Sequence, residues 1–448
     1  MEITVELLQE LIEGKQIKKL REYFDEYNIV DLAEKVQLLS LTEVLFLFKV
    51  LRKDITAELF SYFDADQQKL LIEAFTGNEI QEILDNLFTD DITDMIEDLP
   101  SNLVNKILKA ATLEQRSEIN LLLSYPESSA GSIMSTDFVE LKETDTIGQA
   151  LKKIKRQGKI AETVNHCYVI DAARELVGII PLKDVLFQNP EELIEEHMET
   201  AIVSVKTHDD QEEVAQVMRK YDLLVVPVVN DQERLIGIIT IDDIMDIMEE
   251  EVTEDIQKMA AIRPTDESYL KTSVIKMTMS RIPWLLILMV SATITGMILT
   301  GFEEALAAIP ALAAFVPMVM GTAGNAGGQA SVMVIRGITV DGLNVKDTIK
   351  VILKESRISL MIGTILFIVS IVRIMILPPD VLIDVALVVS VSLVISVVIA
   401  NILGGFLPLV ALAFKQDPAA MAAPLITTLI DAFALLIYFV LCKQFLGI

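Results

Sequence analysis

Long apolar segments are confined to the C-terminal part of the chain, where they predict membrane-spanning helices. Each of five segments can supply the roughly 20 apolar residues that a helix needs to cross a bilayer. In order, they cover residues 282–300, about 306–335, 358–376, about 381–413 and 424–446. The fourth is too long for a single straight crossing. The pattern therefore predicts an all-α membrane domain of five helices over residues 272–448.

Two of these segments are interrupted by polar, glycine-rich stretches. The second contains GTAGNAGGQA at residues 321–330, and the fourth contains ANILGGFLP at residues 400–408. Because every unpaired backbone group is costly in hydrocarbon, the first stretch predicts a broken or locally loosened helix that lines a cavity with Asn325 and Gln329. The alternative is a face of glycines that only lets another helix pack closely. Those glycines are Gly321, Gly324, Gly327 and Gly328.

An acidic residue, Asp431, lies in the body of the last apolar segment. A charge at such a position costs at least about 2.5–3.5 kcal/mol, so the side chain should face a bundle interior or water. Acids inside membranes mark ion pathways, which favours a transport role. A structural ion pair with Arg373, the cation candidate inside the spans, is the alternative. Together with the two polar interruptions, Asp431 indicates a transport path.

Basic residues in the connecting loops predict how the membrane domain is oriented. Lys276 and Arg281 precede the first span, Lys415 precedes the last, and a larger group separates the second span from the third. That group consists of Lys346, Lys350, Lys354 and Arg357. The opposite loops carry Glu303, Glu304 and Asp380. Because basic loops stay cytoplasmic, we expect a multi-pass plasma-membrane protein with its N-terminal half in the cytoplasm and its C-terminus outside.

Charge divides the chain in the same place. The formal net charge is −28, from 65 acidic and 37 basic residues. From residue 282 onward nine acids and eight bases nearly cancel, so almost all of the negative charge belongs to the N-terminal half. Such a field repels nucleic acid and attracts cations. Cys167 and Cys442 make no disulfide framework, which suits a reducing compartment, and the acidic N-terminus shows no signal-peptide pattern.

The N-terminal half predicts two kinds of structure. Residues 1–128 give successive short amphipathic helices, with Asp or Thr as candidate N-caps, which predicts an α-superhelical domain. Residues 134–249 contain an internal repeat, in which MSTDFVEL matches METAIVSV and LVGIIPLKDVL matches LIGIITIDDIM. Each copy predicts a strand, a helix, two apolar strands and a final helix. We therefore expect a tandem α/β module with copies at 134–197 and 198–248.

Acidic residues are concentrated in two places in this half. The sequence DDITD supplies Asp90, Asp91 and Asp94, and Asp90 and Asp94 share a helix face. The end of the second repeat supplies Asp242, Asp243, Asp246, Glu249, Glu250, Glu251, Glu254 and Asp255. Like charges this dense repel, and oxygen-only clusters favour Mg²⁺ or Ca²⁺, so the two clusters together predict cation sensing. A solvated acidic helix face is the alternative for any single residue, and the three histidines form no spaced zinc set.

The repeat resembles a pair of cystathionine-β-synthase (CBS) domains. The resemblance is carried by the ending of the second copy, where Gly237, Thr240 and Asp243 follow a Gly-h-h-Thr-x-x-Asp pattern. In that family the Thr and Asp positions often contact adenosine, which implies a tentative nucleotide site for ATP. In the first copy Pro181 replaces the Ser or Thr, although Asp184 remains.

In its order of helical domain, CBS pair, connecting helix and five spans, the chain resembles the MgtE family of magnesium transporters and channels. The motifs that carry the resemblance are YPESSAGSIM, EEEVTEDIQKM, PMVMGTAGNAGGQ and PLITTLIDAFALLIYF. The resemblance covers nearly the whole chain and implies a homodimer with a pore between the two copies. It also implies a pore carboxylate at Asp431, which would hold hydrated Mg²⁺, and a path lined by Gly324, Asn325 and Gln329.

The same resemblance implies that cytosolic Mg²⁺ closes the pore. The connecting segment, residues 249–271, would act as a plug helix that binds Mg²⁺ together with the helical domain and the CBS pair. The implied ligands are Asp90, Asp94, Glu212, Asp222, Asp243, Asp246, Glu251, Glu254 and Asp255. At low Mg²⁺, repulsion between these acids would open the assembly.

Two positions depart from the family's pore pattern and leave other functions open. Gly328 and Ala423 stand where relatives can carry asparagine, so polar pore contacts are missing. A carrier for Mn²⁺, Co²⁺ or Ca²⁺ is therefore an alternative to a Mg²⁺ channel. A membrane-anchored adenine-nucleotide sensor is another. The sequence shows no nucleophile–base constellation, no HExxH motif and no phosphate cradle, so we do not expect an enzyme.

Overall fold

The computed structural model of the chain describes residues 4–97, 99–265, 269–270, 272–376, 382–420 and 423–447. These residues form two compact units, Met1–Met248 and Glu249–Ile448. Four positions used in the sequence analysis lie outside the described residues. They are Lys271 at the end of the predicted plug segment, Asp380, Val381 at the start of the fourth predicted span, and the side chain of Ala423.

The first unit begins with a stack of short helices. Those described are α1 (Val5–Glu13), α2 (Ile17–Glu26), α3 (Ile29–Val36), α4 (Leu41–Val50), α5 (Lys53–Ser61), α6 (Ala65–Ala74), α7 (Gly77–Leu84), α8 (Thr89–Glu97), α9 (Ser101–Ala110) and α10 (Leu113–Leu122). Alternate helices pack on one another around an apolar core, α3 on α5, α5 on α7 and α7 on α9. As predicted, Asp64 and Thr112 cap helices, accepting hydrogen bonds from the backbone N–H groups of Gln67 and Gln115. The predicted helical N-terminal domain is confirmed.

The internal repeat folds into two copies of one module. The first contains β1 (Glu140–Lys142), α11 (Ile147–Gln157), β2 (His166–Ile170), β3 (Leu176–Pro181) and α12 (Leu182–Phe187). The second contains β4 (Val205–Lys206), α13 (Gln211–Tyr221), β5 (Val225–Val229), β6 (Leu235–Thr240) and α14 (Ile241–Met259). In each sheet the first strand runs parallel to the second, and the second runs antiparallel to the third. The predicted tandem pair is confirmed.

The segment that precedes each copy packs against the sheet of the other copy. This explains why both copies have a methionine at the start and a glycine in the last strand. Met134, at the start of the first copy, packs on Gly237 of β6 so closely that a β-carbon there would lie 2.7 Å from the methionine Sδ. Met198, at the start of the second copy, packs on Gly178 of β3 in the same way. A side chain at either glycine would displace the methionine, so each copy depends on the other for its packing.

The second unit consists of long helices and the end of α14. The described helices are α15 (Val274–Gly301), α16 (Glu303–Ala308), α17 (Ala311–Asp341), α18 (Thr348–Ile376), α19 (Ile383–Ala413) and α20 (Ala423–Leu446). Among the described residues, four helical stretches are long and apolar enough to cross a membrane. They are Val274–Gly301, Val345–Ile376, Ile383–Ala413 and Pro424–Leu446. α17 is also long enough, at 31 residues, but its glycine-rich segment with Asn325 and Gln329 makes it less hydrophobic.

The predicted breaks in the second and fourth spans are wrong. α17 runs without interruption from Ala311 to Asp341, and α19 runs without interruption from Ile383 to Ala413. Intrahelical hydrogen bonds are therefore available to the backbone of the first stretch. In the second stretch Pro408, inside α19, leaves the carbonyl of Gly404 without its intrahelical donor, but the helix continues past it. The second span also begins later than predicted, because the short α16 and Pro310 precede α17.

Close packing explains the glycines instead. A β-carbon at Gly327 would lie 2.9 Å from the carbonyl oxygen of Ala400, and one at Gly404 would lie 2.9 Å from the carbonyl carbon of Gly327. α17 and α19 therefore touch backbone to backbone, which lets α17 also pack against α20. Gly321 does not take part, since a β-carbon there would meet no atom within 4 Å.

We expect Gly404→Ala to destabilise the membrane unit by about 1–3 kcal/mol, because the new methyl group would force the two helices apart. Thermal unfolding of the full chain in detergent, followed by helical circular dichroism, measures the change. The matched control is Gly321→Ala, which adds the same methyl group to open space and should be neutral or stabilising by up to about 1 kcal/mol. Equal destabilisation by both variants would contradict the packing role.

Candidate functional site

The intramembrane acid lies where α20 passes the glycine-rich part of α17. A β-carbon at Gly324 would lie 3.0 Å from Asp431 Oδ1, and the neighbouring Gly328 faces Thr427 one turn earlier on α20. The carboxylate is therefore held against the α17 backbone in a gap that a larger residue at 324 would fill. Asp431 is only partly exposed in the chain.

The alternative that pairs Asp431 with Arg373 is not supported. Arg373 is exposed, and its Nη1 atom lies 2.9 Å from Met318 Sδ. Among the described residues, no ion pair or hydrogen bond compensates the Asp431 carboxylate. An acid inside an apolar bundle without a protein cation is a strong candidate for binding a mobile cation.

The polar residues predicted to line the path lie on the outer surface of the chain. Asn325 and Gln329 are both exposed, whereas Gly324 and Gly328 are buried. On α17, Gly324 therefore faces Asp431, and Asn325 and Gln329 form an adjacent exposed face. In a lipid environment an open amide face is unfavourable, so this surface requires a polar or protein neighbour.

A second group of acids lies inside the first unit, where α8 meets the start of α14. Asp90 is 7% exposed, and its pKa is raised well above the ordinary value by burial and by repulsion from Glu162 and Asp243. Burial, with repulsion from Asp243 and Asp242, raises the pKa of Asp91 to about 6. Burial, with repulsion from Asp243, Asp91 and Asp242, raises the pKa of Glu162 to about 8. Burial also raises the pKa of Asp243. Four carboxyl groups thus repel one another, and a bound cation or bound protons would reduce this repulsion.

Two acidic residues of this region, Glu162 and Asp137, are not predicted from the sequence. Glu162 follows α11 and is isolated from other acids in the sequence, so no charge cluster marks it. Asp137 caps α8 from a distant part of the chain, and its Oδ2 accepts hydrogen bonds from Thr89 N at 2.9 Å and Thr89 Oγ1 at 2.6 Å. Neither contact has a local sequence signal, because each joins segments about 50 or more residues apart.

The other predicted cation ligands are more open. Asp94 and Asp246 are exposed, so Asp94 differs from Asp90 although both lie on α8. Glu212 lies in the first turn of α13, and Asp222 ends that helix with a left-handed backbone, φ 52°. Within the described ranges, no three His, Cys, Asp or Glu side chains converge as a ready-made metal site. The predicted Mg²⁺ ligands therefore remain a prediction.

The end of α14 carries an acid–lysine network within the second unit. Lys258 Nζ lies 2.7 Å from Glu254 Oε1 and 2.7 Å from Asp417 Oδ2, in the segment between α19 and α20. Burial, with repulsion from Asp417, raises the pKa of Asp255 to about 6. Glu251, Glu254 and Asp255 are predicted from the sequence, whereas tertiary packing brings Asp417 to Lys258 beside them.

The tentative nucleotide residues occupy equivalent ends of strands. Thr240 ends β6, is 6% exposed and donates a hydrogen bond from Oγ1 to Asp243 Oδ2 at 2.6 Å. Pro181 ends β3 at the same place in the first copy, where no such hydroxyl exists, and Asp184 lies in the following helix. The two copies therefore differ at the positions that would recognise a nucleotide.

Three family models match the helical domain, the internal repeat and most of the membrane unit. Residues 316–441 match MgtE, described as a divalent cation transporter. Residues 27–128 match the MgtE intracellular N domain, and residues 130–189 and 194–250 match the CBS domain.

Solved structures match the N-terminal part. A crystal structure of the soluble part of a magnesium transporter has a TM-score of 0.52 and 32% identity, covering 55% of this chain and 97% of that one. The cytosolic domain of the Mg²⁺ channel MgtE, solved in complex with ATP, has a TM-score of 0.51 and 30% identity, covering 54% and 98%.

Whole-length relatives are magnesium transporters. The chain is 33% identical to the magnesium transporter MgtE of Thermus thermophilus over 440 residues, which covers 96% of each chain. It is 31% identical to MgtE of Bacillus subtilis, covering 99% of this chain and 98% of the relative. Because similarity at this level extends through the helical domain, the CBS pair and the membrane unit, the chain belongs to the MgtE family of magnesium transporters, whose members are not enzymes.

Proposed function

We propose that this protein is a Mg²⁺-selective channel for Mg²⁺ uptake whose pore ligand is Asp431. The observation that carries the proposal is the carboxylate of Asp431, held against Gly324 and, within the described part of the chain, not paired with a cation. Carboxylate oxygen is the ligand type that Mg²⁺ prefers, and Mg²⁺ keeps most of its waters when few protein ligands are present. A single carboxylate would hold such an ion largely through those waters.

The proposal includes a homodimer with five spans in each copy. α17 counts as the fifth span because it has 31 residues and packs between α19 and α20. Its exposed Asn325 and Gln329 are unfavourable against lipid but suit a water-filled path between two copies. With basic loops on the cytoplasmic side, five spans leave the C-terminus outside the plasma membrane.

We propose negative feedback by cytosolic Mg²⁺ as the gating mechanism. The buried Asp90 and the half-buried Asp243 repel one another, and bound cations would favour the compact arrangement of the first unit. At the end of α14, residues Glu251, Glu254 and Asp255 would bind further ions in the plug segment 249–271. Several ions, each contributing about 1–2 kcal/mol, would together reach the roughly 5.5 kcal/mol needed for a full switch. The dependence on Mg²⁺ should therefore be steep.

ATP binding at the CBS pair is a secondary proposal. It is supported by the similarity to a cytosolic domain solved with ATP and by the paired Thr240 and Asp243 side chains. Transport of Mn²⁺, Co²⁺ or Ca²⁺ is an alternative for the membrane unit, since Gly328 and Ala423 supply no polar pore contact. Competition between these ions and Mg²⁺ for flux would separate the alternatives.

Replacing Asp431 by Asn should lower Mg²⁺ influx into liposomes that contain the purified full chain by at least about tenfold, since loss of the ligand charge weakens Mg²⁺ binding by more than about 1.4 kcal/mol. The matched control is Asp384→Asn, which neutralises an exposed acid in the first turn of α19. Flux that survives in Asp431→Asn would remove this residue from the pore. Absence of flux in the wild type would instead favour the membrane-anchored nucleotide sensor.

Mg²⁺ on the cytoplasmic side should suppress influx in the wild type. In a variant with Asp90→Asn, Asp94→Asn, Asp243→Asn and Asp246→Asn, we expect the concentration for half suppression to rise by about tenfold or more, because each lost ligand removes part of the bias toward closure. The same liposome assay, with cytoplasmic Mg²⁺ varied, measures this. Unchanged suppression would overturn the gating proposal while leaving the pore proposal intact.

Without divalent cations, the local stability of α8 should fall as pH rises from about 4 to about 8. The carboxyl pKa values of Asp91, about 6, and Glu162, about 8, lie above their ordinary values, so the folded state holds protons that the unfolded state has released. Hydrogen exchange of the full chain in a chelator, corrected for intrinsic rates, would report this as declining protection. Added Mg²⁺ should restore protection at pH 8.

Glu162→Gln tests the cause of that pH dependence. It should raise protection of α8 at pH 8 by an energy of order 1 kcal/mol, allowing for the partial exposure of Glu162. The matched control is Glu127→Gln, which neutralises an exposed acid in the loop before the first repeat. A pH dependence that both variants leave unchanged would show that the buried acids do not repel as proposed.

A further inference from the structure

The membrane unit contains a second buried acid, on a different helix from Asp431. Glu355 is 8% exposed on α18 and borders an apolar cluster formed by Val334, Val351 and Leu409. Glu355 lies near the start of α18, between Lys354 and Arg357, and desolvation of a carboxylate beside apolar side chains is unfavourable without compensation. Lys354, beside it in the sequence, is exposed, and among the described residues no ion pair joins Glu355 to any cation.

Three helices meet around this side chain. A β-carbon at Gly405 of α19 would lie 3.0 Å from Glu355 Cγ, 3.4 Å from Val351 Cγ1 and 3.6 Å from Val334 Cγ2. Gly405 therefore provides the space that Glu355 occupies, and the acid lies at the junction of α17, α18 and α19. A space built from glycine around a buried acid is a specific arrangement that close packing alone does not require.

Two polar side chains close to this junction also lack partners. Ser331 Oγ, one turn before Val334 on α17, and Asn401 Oδ1, one turn before Gly405 on α19, are buried without a hydrogen bond among the described residues. Ser331 is 0% exposed and Asn401 is 3% exposed. Ser359, one turn after Glu355 on α18, differs, because its hydroxyl donates to the carbonyl of Ser356 at 3.0 Å. An unpartnered buried oxygen is unfavourable unless something binds it.

We propose that Glu355, Ser331 and Asn401 form a second cation site in the membrane unit, which takes a hydrated divalent cation. The site offers one carboxylate, one hydroxyl and one amide oxygen, and hard cations such as Mg²⁺ bind oxygen ligands. With so few protein ligands, the ion keeps several waters, and those waters donate hydrogen bonds to Ser331 and Asn401. One hydrated ion would thus balance the charge of Glu355 and supply hydrogen bonds to Ser331 Oγ and Asn401 Oδ1.

The site lies in series with Asp431 along α17. Ser331 follows Gly324 by seven residues, which is two turns on the same side of the helix and about 10 Å along its axis. It is the nearer of the two to the basic loop after α17, which is predicted to be cytoplasmic. Conduction is fast when an ion can pass between neighbouring sites, none of which holds it too tightly. This step of the inference depends on the proposed Mg²⁺ channel function.

Anomalous diffraction from crystals of the full chain grown with Mn²⁺ tests the site directly. The expected result is a peak beside the Glu355 carboxylate, separate from any peak at Asp431, which is absent in crystals of Glu355→Gln. A wild-type map without a peak there, in which the carboxyl group instead hydrogen-bonds Asn401 or Ser331 as a neutral acid, would overturn the proposal.

Flux measurements test the site without relying on one variant. In liposomes, Glu355→Gln and Asn401→Ala should each raise the Mg²⁺ concentration for half-maximal influx by about threefold or more, while Ser359→Ala, the matched control with a satisfied hydroxyl, leaves it unchanged. Unchanged values in both variants would contradict a cation site on the path. Failure here is distinct from failure of the channel proposal, in which the wild type itself shows no Mg²⁺ influx.

Discussion

The central constraint on this protein is a set of partly or fully buried carboxyl groups that no lysine or arginine among the described residues compensates. In the first unit Asp90, Asp91 and Glu162 lie close enough to raise one another's pKa values or those of their neighbours. In the membrane unit Asp431 packs against Gly324 of α17. Apolar burial holds these groups in place although their mutual repulsion opposes it. Under the proposed function, cations bound at these groups would stabilise the arrangement and couple its shape to the concentration of the ion.

The second unit shows how the chain positions such a carboxylate without filling the space around it. The backbone contact of Gly327 with Ala400 holds α17 against α19, and the absence of a side chain at Gly324 lets Asp431 Oδ1 approach the α17 backbone. Ordinary side chains at these positions would separate the helices or cover the acid. The glycines therefore serve packing and access at the same time, and they do so within an unbroken helix.

The first unit is built so that its acids come from separate segments. The CBS copies lock together through Met134 on Gly237 and Met198 on Gly178, which fixes the start of α14. Asp137 then caps α8 and holds Asp90 near Asp243. A change in the charge balance at this junction would act on α8 and α14 together, and α14 continues into the second unit.

The sequence by itself determined the classes of structure, because each depends on local periodicity or on repetition. Helical spacing and Asp or Thr caps predicted the N-terminal helices, the matched segments predicted the tandem pair, and apolar length predicted the membrane helices. Asp431 was identifiable for the same reason, since one charge in an apolar run is visible without any knowledge of neighbours.

Only the tertiary structure decided what surrounds each of these residues. Whether GTAGNAGGQA breaks a helix or packs one depends on Ala400 and Gly404, which lie more than 70 residues away, and the sequence-based prediction of a break was wrong. The roles of Glu162 and Asp137, the partner of Lys258, and the burial of Glu355 are likewise set by distant segments. Local patterns report how a segment buries its own surface, whereas charge compensation and close packing are properties of pairs of segments that folding brings together.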